Sequence, residues 1–285
     1  MEHILVAMDV SEVSDRAFER ALQLAQAHDV KLTVMHVIDE KKLDRDLDPG
    51  MEDQLIEQAR IELCRHWANL SELEAERISL TVKTGSVWKD ILAEVETRKV
   101  GLIVLGLHHP TTKDRFIGTK ASHIVCNSIV PVLVVKDKPA GPYRSVVAAT
   151  DFSSSSEHAL SVGLELAPDA AFCLLHVFQT PFSSRIKLNA EQLAEYERPL
   201  IEKSQQESSA ATDAYVKRHG KLKASITPKV ERGETATGIG KIVDEQNADL
   251  LVMGTHSRSG IVGSMIGSYA IGFLNAPPCD VLVSR

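Results

Sequence analysis

Chemistry in this chain would begin at Gly254. The apolar run Leu250–Met253 stops at that glycine. A short, uninterrupted apolar run of this kind reads as a strand buried on both faces, as in a parallel sheet. Beyond it a polar stretch carries Ser257, Gly260 and Gly263 before Gly267-Ser268 opens a helical pattern. Strand, glycine-rich loop and helix start together suit an anionic ligand. Small residues let the backbone approach, and the unpaired N–H groups of a helix N-terminus meet a phosphate. The spacing is Gly254, two residues, Ser257, nine residues, then Gly267-Ser268.

Other reactive side chains are weaker candidates. Asp9 and Asp151 each end an apolar run and precede a serine-containing turn, so they could cap the next helix, meet a ligand, or both. His36 and His176 close apolar strands and read as structural histidines with satisfied ring nitrogens. His108-His109 could pair with His123 or Asp114 on a metal, but no ligand spacing of the usual kind is present, so no metal site is expected. Ser153–Ser156 reads as a turn and cap rather than as a phosphorylation site. The four cysteines, Cys64, Cys126, Cys173 and Cys279, form no C-x-x-C pair and read as small buried hydrophobes in a reducing compartment. No nucleophile–base–orienter set and no carboxylate pair is visible, so no catalytic residue is nominated.

Composition narrows the classes. With 44% apolar and 25% charged residues over 285 positions, the chain has room for two globular domains. A net charge of −7 is poor footing for nucleic acid, which needs a basic stripe. No apolar run approaches the roughly 20 residues that span a bilayer. Met1-Glu2-His3 lacks the basic start of a signal peptide, so a cytoplasmic location is expected, with no membrane partner.

The elements that must position these residues are written twice. His3-Ile-Leu-Val-Ala-Met-Asp9 recurs as Arg144-Ser-Val-Val-Ala-Ala-Thr-Asp151. An amphipathic helix follows each: Ala17, Phe18, Ala21, Leu22, Leu24 and Ala25 repeat near the 3.6 period, and Ala159, Leu160, Val162, Leu164 and Leu166 do so more loosely. Second strands end in the same pair, His36-Val37 and His176-Val177, a sign of internal repetition. A long helix comes next, with Leu55, Ala59, Leu63 and Leu70 on one face and Trp67 near it in the first copy, and roughly Ala190 to Arg218 in the second. Third strands end at Gly85 and Gly233, before helices over Val87–Glu96 and Thr237–Gln246. Fourth strands end at Gly106 and Gly254, and fifth strands are Pro131–Val135 and Val281–Ser284. Domains are expected over 1–137 and 143–285, with 138–142 as a Pro/Gly linker. Alternation of strand and helix predicts two tandem five-stranded parallel α/β sandwiches, Rossmann-like, each with a crevice outside the carboxyl ends of its strands. Asp9, Val37 and Gly106 fall at such ends in the first copy, and Asp151, Val177 and Gly254 in the second.

On these residues the chain resembles the universal stress protein family, of adenine nucleotide α-hydrolase-like fold, twice over. The acid after the first strand, the His-Val ending, the glycine before the third helix, the glycine loop and the closing apolar strand all match. The resemblance implies ATP, with or without Mg2+, as ligand. It further implies that the acid contacts ribose or metal, the end of the second strand frames adenine, and the loop with its following Ser or Thr holds phosphates. Carried onto the second copy, this nominates Asp151, Val177, Met253, Gly254, Ser257, Gly267, Ser268 and Tyr269, with Ser257 standing where nucleotide-binding members carry glycine. In the first copy it nominates Asp9, Val37, Gly106, Gly118 and Thr119. There His109 replaces the glycine, the loop is one residue shorter, and Pro110 removes a donor, so the first crevice is expected to be the weaker despite Lys113, Arg115 and Lys120. The resemblance also implies domains that pair, hence a homodimer or an intrachain pseudo-dimer.

A regulatory, non-catalytic stress-response protein binding an adenine nucleotide mainly in its second half is the leading expectation. The family admits slow ATP hydrolysis, but no residue here can be nominated as its base. The alternative is a nucleotide-free scaffold or carrier of another small molecule, since both loops lack the second glycine. An ATP pyrophosphatase-type ligase would need Ser-Gly-Gly-x-Asp-Ser after the first strand, where this chain has Asp9-Val-Ser-Glu and Asp151-Phe-Ser-Ser. A phosphoacceptor receiver domain would need an acidic pair at that place, which is missing. Gln179–Leu188, with Phe182, Ile186 and Leu188, is longer than a connector requires and could be a lid, a partner surface or a folded-back core segment.

Overall fold

A computed structural model describes residues 1–9, 11–43, 49–68, 77–107, 120–178, 189–219, 224–255 and 267–285. The chain divides into two units, Met1–Pro142 and Tyr143–Arg285. The first contains β1 (His3–Ala7), α1 (Glu12–His28), β2 (Lys31–Asp39), α2 (Pro49–Ala68), β3 (Ile78–Gly85), α3 (Val87–Arg98), β4 (Leu102–Gly106), α4 (Lys120–Asn127) and β5 (Val132–Val135). The second repeats the order with β6 (Ser145–Ala149), α5 (Ser154–Leu166), β7 (Ala171–Phe178), α6 (Ala190–His219), β8 (Ser225–Arg232), α7 (Thr235–Glu245), β9 (Leu250–Gly254), α8 (Ser268–Asn275) and β10 (Asp280–Ser284).

Within the first unit the parallel strands lie in the order β3-β2-β1-β4-β5, and within the second β8-β7-β6-β9-β10. Right-handed crossovers then put α1 and α2 on one face of the first sheet and α3 and α4, which pack against each other, on the other. The central strands are covered on both sides. Ile4, Leu5, Val6, Leu102, Ile103 and Val104 are completely buried, as are Val147, Leu250, Leu251 and Val281. Each such side chain contributes about 1.5–3 kcal/mol of burial. The α1 stripe Ala17, Phe18, Ala21, Leu22, Leu24 and Ala25 is buried in full. In α5, Val162 falls off the buried stripe, and Gly163 lies against Val252 and Phe172 instead.

Several expectations shift for local reasons. The helix expected from Thr237 starts at Thr235, because the Glu234 carboxylate accepts the N–H groups of Ala236 and Thr237 at 3.0 and 2.7 Å. The bonds from Thr237, backbone first and hydroxyl second, hold that carboxyl below the usual carboxylate range. Pro228 sits inside β8, which is tolerable because β8 ends its unit's strand order and needs no donor on its outer side. Of the cysteines, Cys173 and Cys279 are buried, and burial pushes the Cys173 thiol up. Cys64 is exposed and Cys126 is half-exposed, against expectation. Leu63 takes the inward position of α2, and the next residue turns about 100° away. Leu70 and the side chain of Trp67 lie outside the described residues. Among the described residues no helix is long and apolar enough to cross a membrane.

His3 opens β1 as a buried polar residue. Its Nδ1–H donates to the Arg98 carbonyl at 3.2 Å, which leaves Nε2 to accept from Thr33 Oγ1 at 2.8 Å. Thr33 is itself 2.8 Å from Ser79 Oγ, so one polar chain ties β1, β2, β3 and the end of α3. Burial holds the imidazole below its ordinary value of 6.5. The unfolded chain therefore takes up the proton first as pH falls. Stability of the first unit is expected to decline as pH drops below about 6.5. The decline should be smaller in His3→Gln, as urea midpoints across pH 5–7 would reveal.

Two glycines mark where helix meets strand. A Cβ on Gly106 would lie 2.5 Å from the Val13 carbonyl oxygen in the first turn of α1. One on Gly254 would lie 2.7 Å from Ser155 Oγ and 3.0 Å from the Ser156 nitrogen in α5. Gly106→Ala and Gly254→Ala should each destabilise their unit by about 1–3 kcal/mol. Gly272→Ala, on an exposed helical position with nothing within 4 Å, should stabilise by about 0.5–1 kcal/mol. Urea titrations of the three variants distinguish close approach from ordinary helix propensity.

Candidate functional site

The two acids act through serines. Asp151 Oδ1 accepts from the Ser153 hydroxyl at 2.6 Å and from its N–H at 3.1 Å, and Ser153 Oγ in turn caps α5 by accepting the Ser156 N–H at 3.3 Å. In the first unit Ser11 donates to Asp9 Oδ1 at 2.6 Å and caps α1 through the Ser14 N–H at 3.2 Å, with Ser14 Oγ accepting the Ser11 N–H in return. The expectation of Asp9 or Asp151 as a cap is thus corrected: serine is the cap and the acid orients it. The residue two places nearer the helix has the right reach, since a cap must accept from an N–H two or three residues on.

His36 and His176 are structural, as expected. Each donates Nδ1–H to the carbonyl that precedes its unit's acid, His36 to Met8 at 2.7 Å and His176 to Thr150 at 2.8 Å. These bonds pin the end of the second strand to the end of the first. In the second unit the pin carries a further residue that sequence reasoning missed. Phe152 stands at φ 60, donates its N–H to Thr150 Oγ1 at 3.0 Å, and lays its ring against His176 with centroids 4.6 Å apart. A left-handed backbone costs an ordinary residue about 1–2 kcal/mol, so the ring contact and the hydroxyl bond must hold it there. Only its position between Asp151 and the serine run could have flagged it.

Register brings the candidates to one level. Ala149 is opposite Leu175 and Ala148 opposite Val252, so two residues on Asp151 is level with Val177 and Thr150 with Gly254. In the first unit Ala7 pairs with Met35 and Val6 with Val104, which sets Asp9 level with Val37 and Met8 with Gly106. Val177 points its side chain at α7, where a Cβ on Gly238 would come within 2.8 Å of it. Met253 is buried in the sheet.

The start of α8 is tied to the same end. Gly267, the N-cap residue at φ −57, donates its N–H to the Thr255 carbonyl at 2.6 Å, and Thr255 donates to the Ser284 carbonyl at 2.8 Å. The first bond inside the helix is Ile271 N–H to the Gly267 carbonyl. The N–H groups of Ser268, Tyr269 and Ala270 therefore precede the helical ladder and carry the positive end of its dipole. Ser268 and Tyr269 are exposed. Ser257, Gly118 and Thr119 lie outside the described residues, as do Val10, His108, His109, Pro110, Lys113, Asp114, Arg115, Gly260, Gly263, Phe182, Ile186 and Leu188, together with the side chain of Lys120. His123, considered for a metal, instead has its ring 6.0 Å from that of Trp88 at an interplanar angle of 23°. Among the described residues no group of three or more His, Cys, Asp or Glu could hold a metal ion.

Comparison with known proteins agrees with this architecture. The sequence profile of the universal stress protein family matches residues 1–136 and again 142–285. A universal stress protein of Mycolicibacterium smegmatis is 25% identical over 295 residues, covering 99% of this chain and 96% of that one. A crystal structure of a universal stress protein from Archaeoglobus fulgidus superposes with a TM-score of 0.68 at 20% identity, covering 99% of this chain and 98% of that one. A functionally unknown protein from Pseudomonas aeruginosa PAO1 does so with a TM-score of 0.62 at 20% identity, covering 100% of this chain and 92% of that one. With an acid–serine cap, a histidine pin and a strand-end glycine repeated in both units, and a family profile that matches twice, the chain belongs to the universal stress protein family and carries two of its domains in tandem.

Proposed function

We propose that this universal stress protein is a regulatory, non-catalytic binder of an adenine nucleotide, chiefly ATP, and that the nucleotide sits at the carboxyl ends of β6, β7 and β9 in the second unit. One observation carries the reading: Asp151, Val177 and Gly254 come to a common strand end, and the bond from Gly267 to Thr255 tethers the amino end of α8 beside them. The residues fit the ligand's chemistry. The N–H groups of Ser268 and Tyr269 suit phosphate oxygens, and an acid at the switch in strand order suits a ribose hydroxyl or a nucleotide-borne Mg2+. The ligand is read as a signal rather than a substrate, because the Asp151 carboxylate is engaged by Ser153 and the His176 ring by the Thr150 carbonyl and Phe152.

A second reading has its own support. Asp9, Asp151, Gly106 and Gly254 all have internal uses, in serine orientation and in helix–strand approach, that would keep them in a nucleotide-free scaffold. Nucleotide released by acid from freshly purified protein separates the two. The first reading expects adenine nucleotide in the supernatant; a clean extract together with no heat on ATP titration leaves the scaffold.

Variants sharpen the test. Gly267→Val places a branched side chain over the start of α8 and should weaken ATP at least tenfold by isothermal titration, about 1.4 kcal/mol. Asp151→Asn keeps an oxygen for Ser153, so its unfolding midpoint should match the parent while ATP affinity falls. Ser153→Ala should show the reverse, losing about 1 kcal/mol of stability through the lost cap. Equal ATP heats from the parent, Gly267→Val and Asp151→Asn would remove the strand-end site from the account.

A further inference from the structure

We infer that the first unit shuts its own strand-end groove with an aromatic pair, Trp88 and His123, and that these two residues decide which half of the chain takes an adenine ligand. The inference rests on the nucleotide reading above. Trp88 is the second residue of α3 and His123 the fourth of α4. Both belong to first turns, and both helices run away from the carboxyl ends of their strands on the face where α3 crosses β2 and β1. Their rings stack across the interval between the two helix starts, with centroids 6.0 Å apart, and Lys89 Nζ lies 5.6 Å from the Trp88 ring. On this reading the stack stands across the approach of a flat ligand to the strand ends that carry Val37 and Asp9.

Among the described residues the second unit lacks both rings at the matched positions. Gly85 and Gly233 both adopt positive φ, 149 and 148, immediately before the N-caps Ser86 and Glu234, so Trp88 corresponds to Ala236 and Asp90 to Gly238. Gly118 to Val132 aligns without a gap on Gly267 to Val281, so His123 corresponds to Gly272. The strand pairings agree: Val132 faces Ile103 as Val281 faces Leu251. Where the first unit has an indole, a carboxylate and an imidazole, the second has a methyl group and two glycines. Among the described residues nothing lies within 4 Å of a Cβ built on Gly272, whereas Gly238 is buried and a Cβ there would lie 2.8 Å from Val177. Asp90 is occupied in the first unit by Lys83 at 3.2 Å, which fixes that turn of α3 beside the stack. Two copies of one fold thus differ in ring bulk at two matched positions, Trp88 against Ala236 and His123 against Gly272. The difference excludes a planar ring system from the first unit and admits it to the second.

Adenosine is the probe, because it carries the base and ribose without phosphates and so reports on the groove alone. Trp88→Ala/His123→Gly should gain one equivalent of adenosine over the parent chain in equilibrium dialysis, with an affinity within tenfold of the second unit's site. An unchanged equivalence, or a parent that already binds two, overturns the inference. Should that variant fail to fold, the graft Ala236→Trp/Gly272→His decides: adenosine affinity is expected to fall at least tenfold, and an unchanged affinity overturns the inference. ATP titrated into the parent chain runs alongside. One equivalent there with no gain in the opened variant defeats only the aromatic closure; no ATP binding defeats the nucleotide reading itself.

Discussion

The structure of each unit depends on how closely the first helix can approach the end of the fourth strand. That approach is set by a glycine, Gly106 or Gly254, against which Val13 or Ser155 and Ser156 rest without room for a Cβ. Helix and strand meet there because the chain reverses direction across the sheet at this point, and the loops leaving the two neighbouring strands part to opposite faces. The helix that presses in is capped by serine, the serine is oriented by an acid, and the carbonyl before the acid is held by a histidine from the next strand. Each bond is worth on the order of 1 kcal/mol. Together they fix the strand ends with little freedom, which is what a binding surface made of backbone requires.

This arrangement gives the acid and the glycine repeated in both units a structural use of their own. A glycine needed for packing also clears space above the sheet, and an acid needed to aim a serine leaves carboxylate at the switch point. Ligand binding of the proposed kind would draw on geometry that folding already demands. The strained Phe152 fits the same economy: its backbone departs from the ordinary range at the one position where hydroxyl, ring and acid converge.

The two units show how one fold can be kept while its surface diverges. Their strand registers, caps and histidine pins agree, yet Trp88, Asp90 and His123 stand where Ala236, Gly238 and Gly272 stand. Buried sheet positions are constrained by close packing, whereas Ala236 and the exposed Gly272 are less confined and Gly238 alone of the three is buried. Divergence therefore collects around the groove rather than in the sheet.

Much of the fold is legible in the residues alone. Apolar runs such as Leu250–Met253, the repeated His-Val endings and the 3.6-spaced Ala17–Ala25 stripe determine strands, repeats and buried faces, because burial imposes a period that composition must obey. The strand-end positions of Asp151, Val177 and Gly254 follow from the same pattern. Tertiary structure decided the part each side chain plays. Aspartate orients the serine that caps, Ser155 requires a glycine at 254, Phe152 is forced into a left-handed turn, and Trp88 meets His123 across two helices. Those outcomes depend on contacts between residues far apart in the chain, and on angles and distances that no spacing along the sequence encodes.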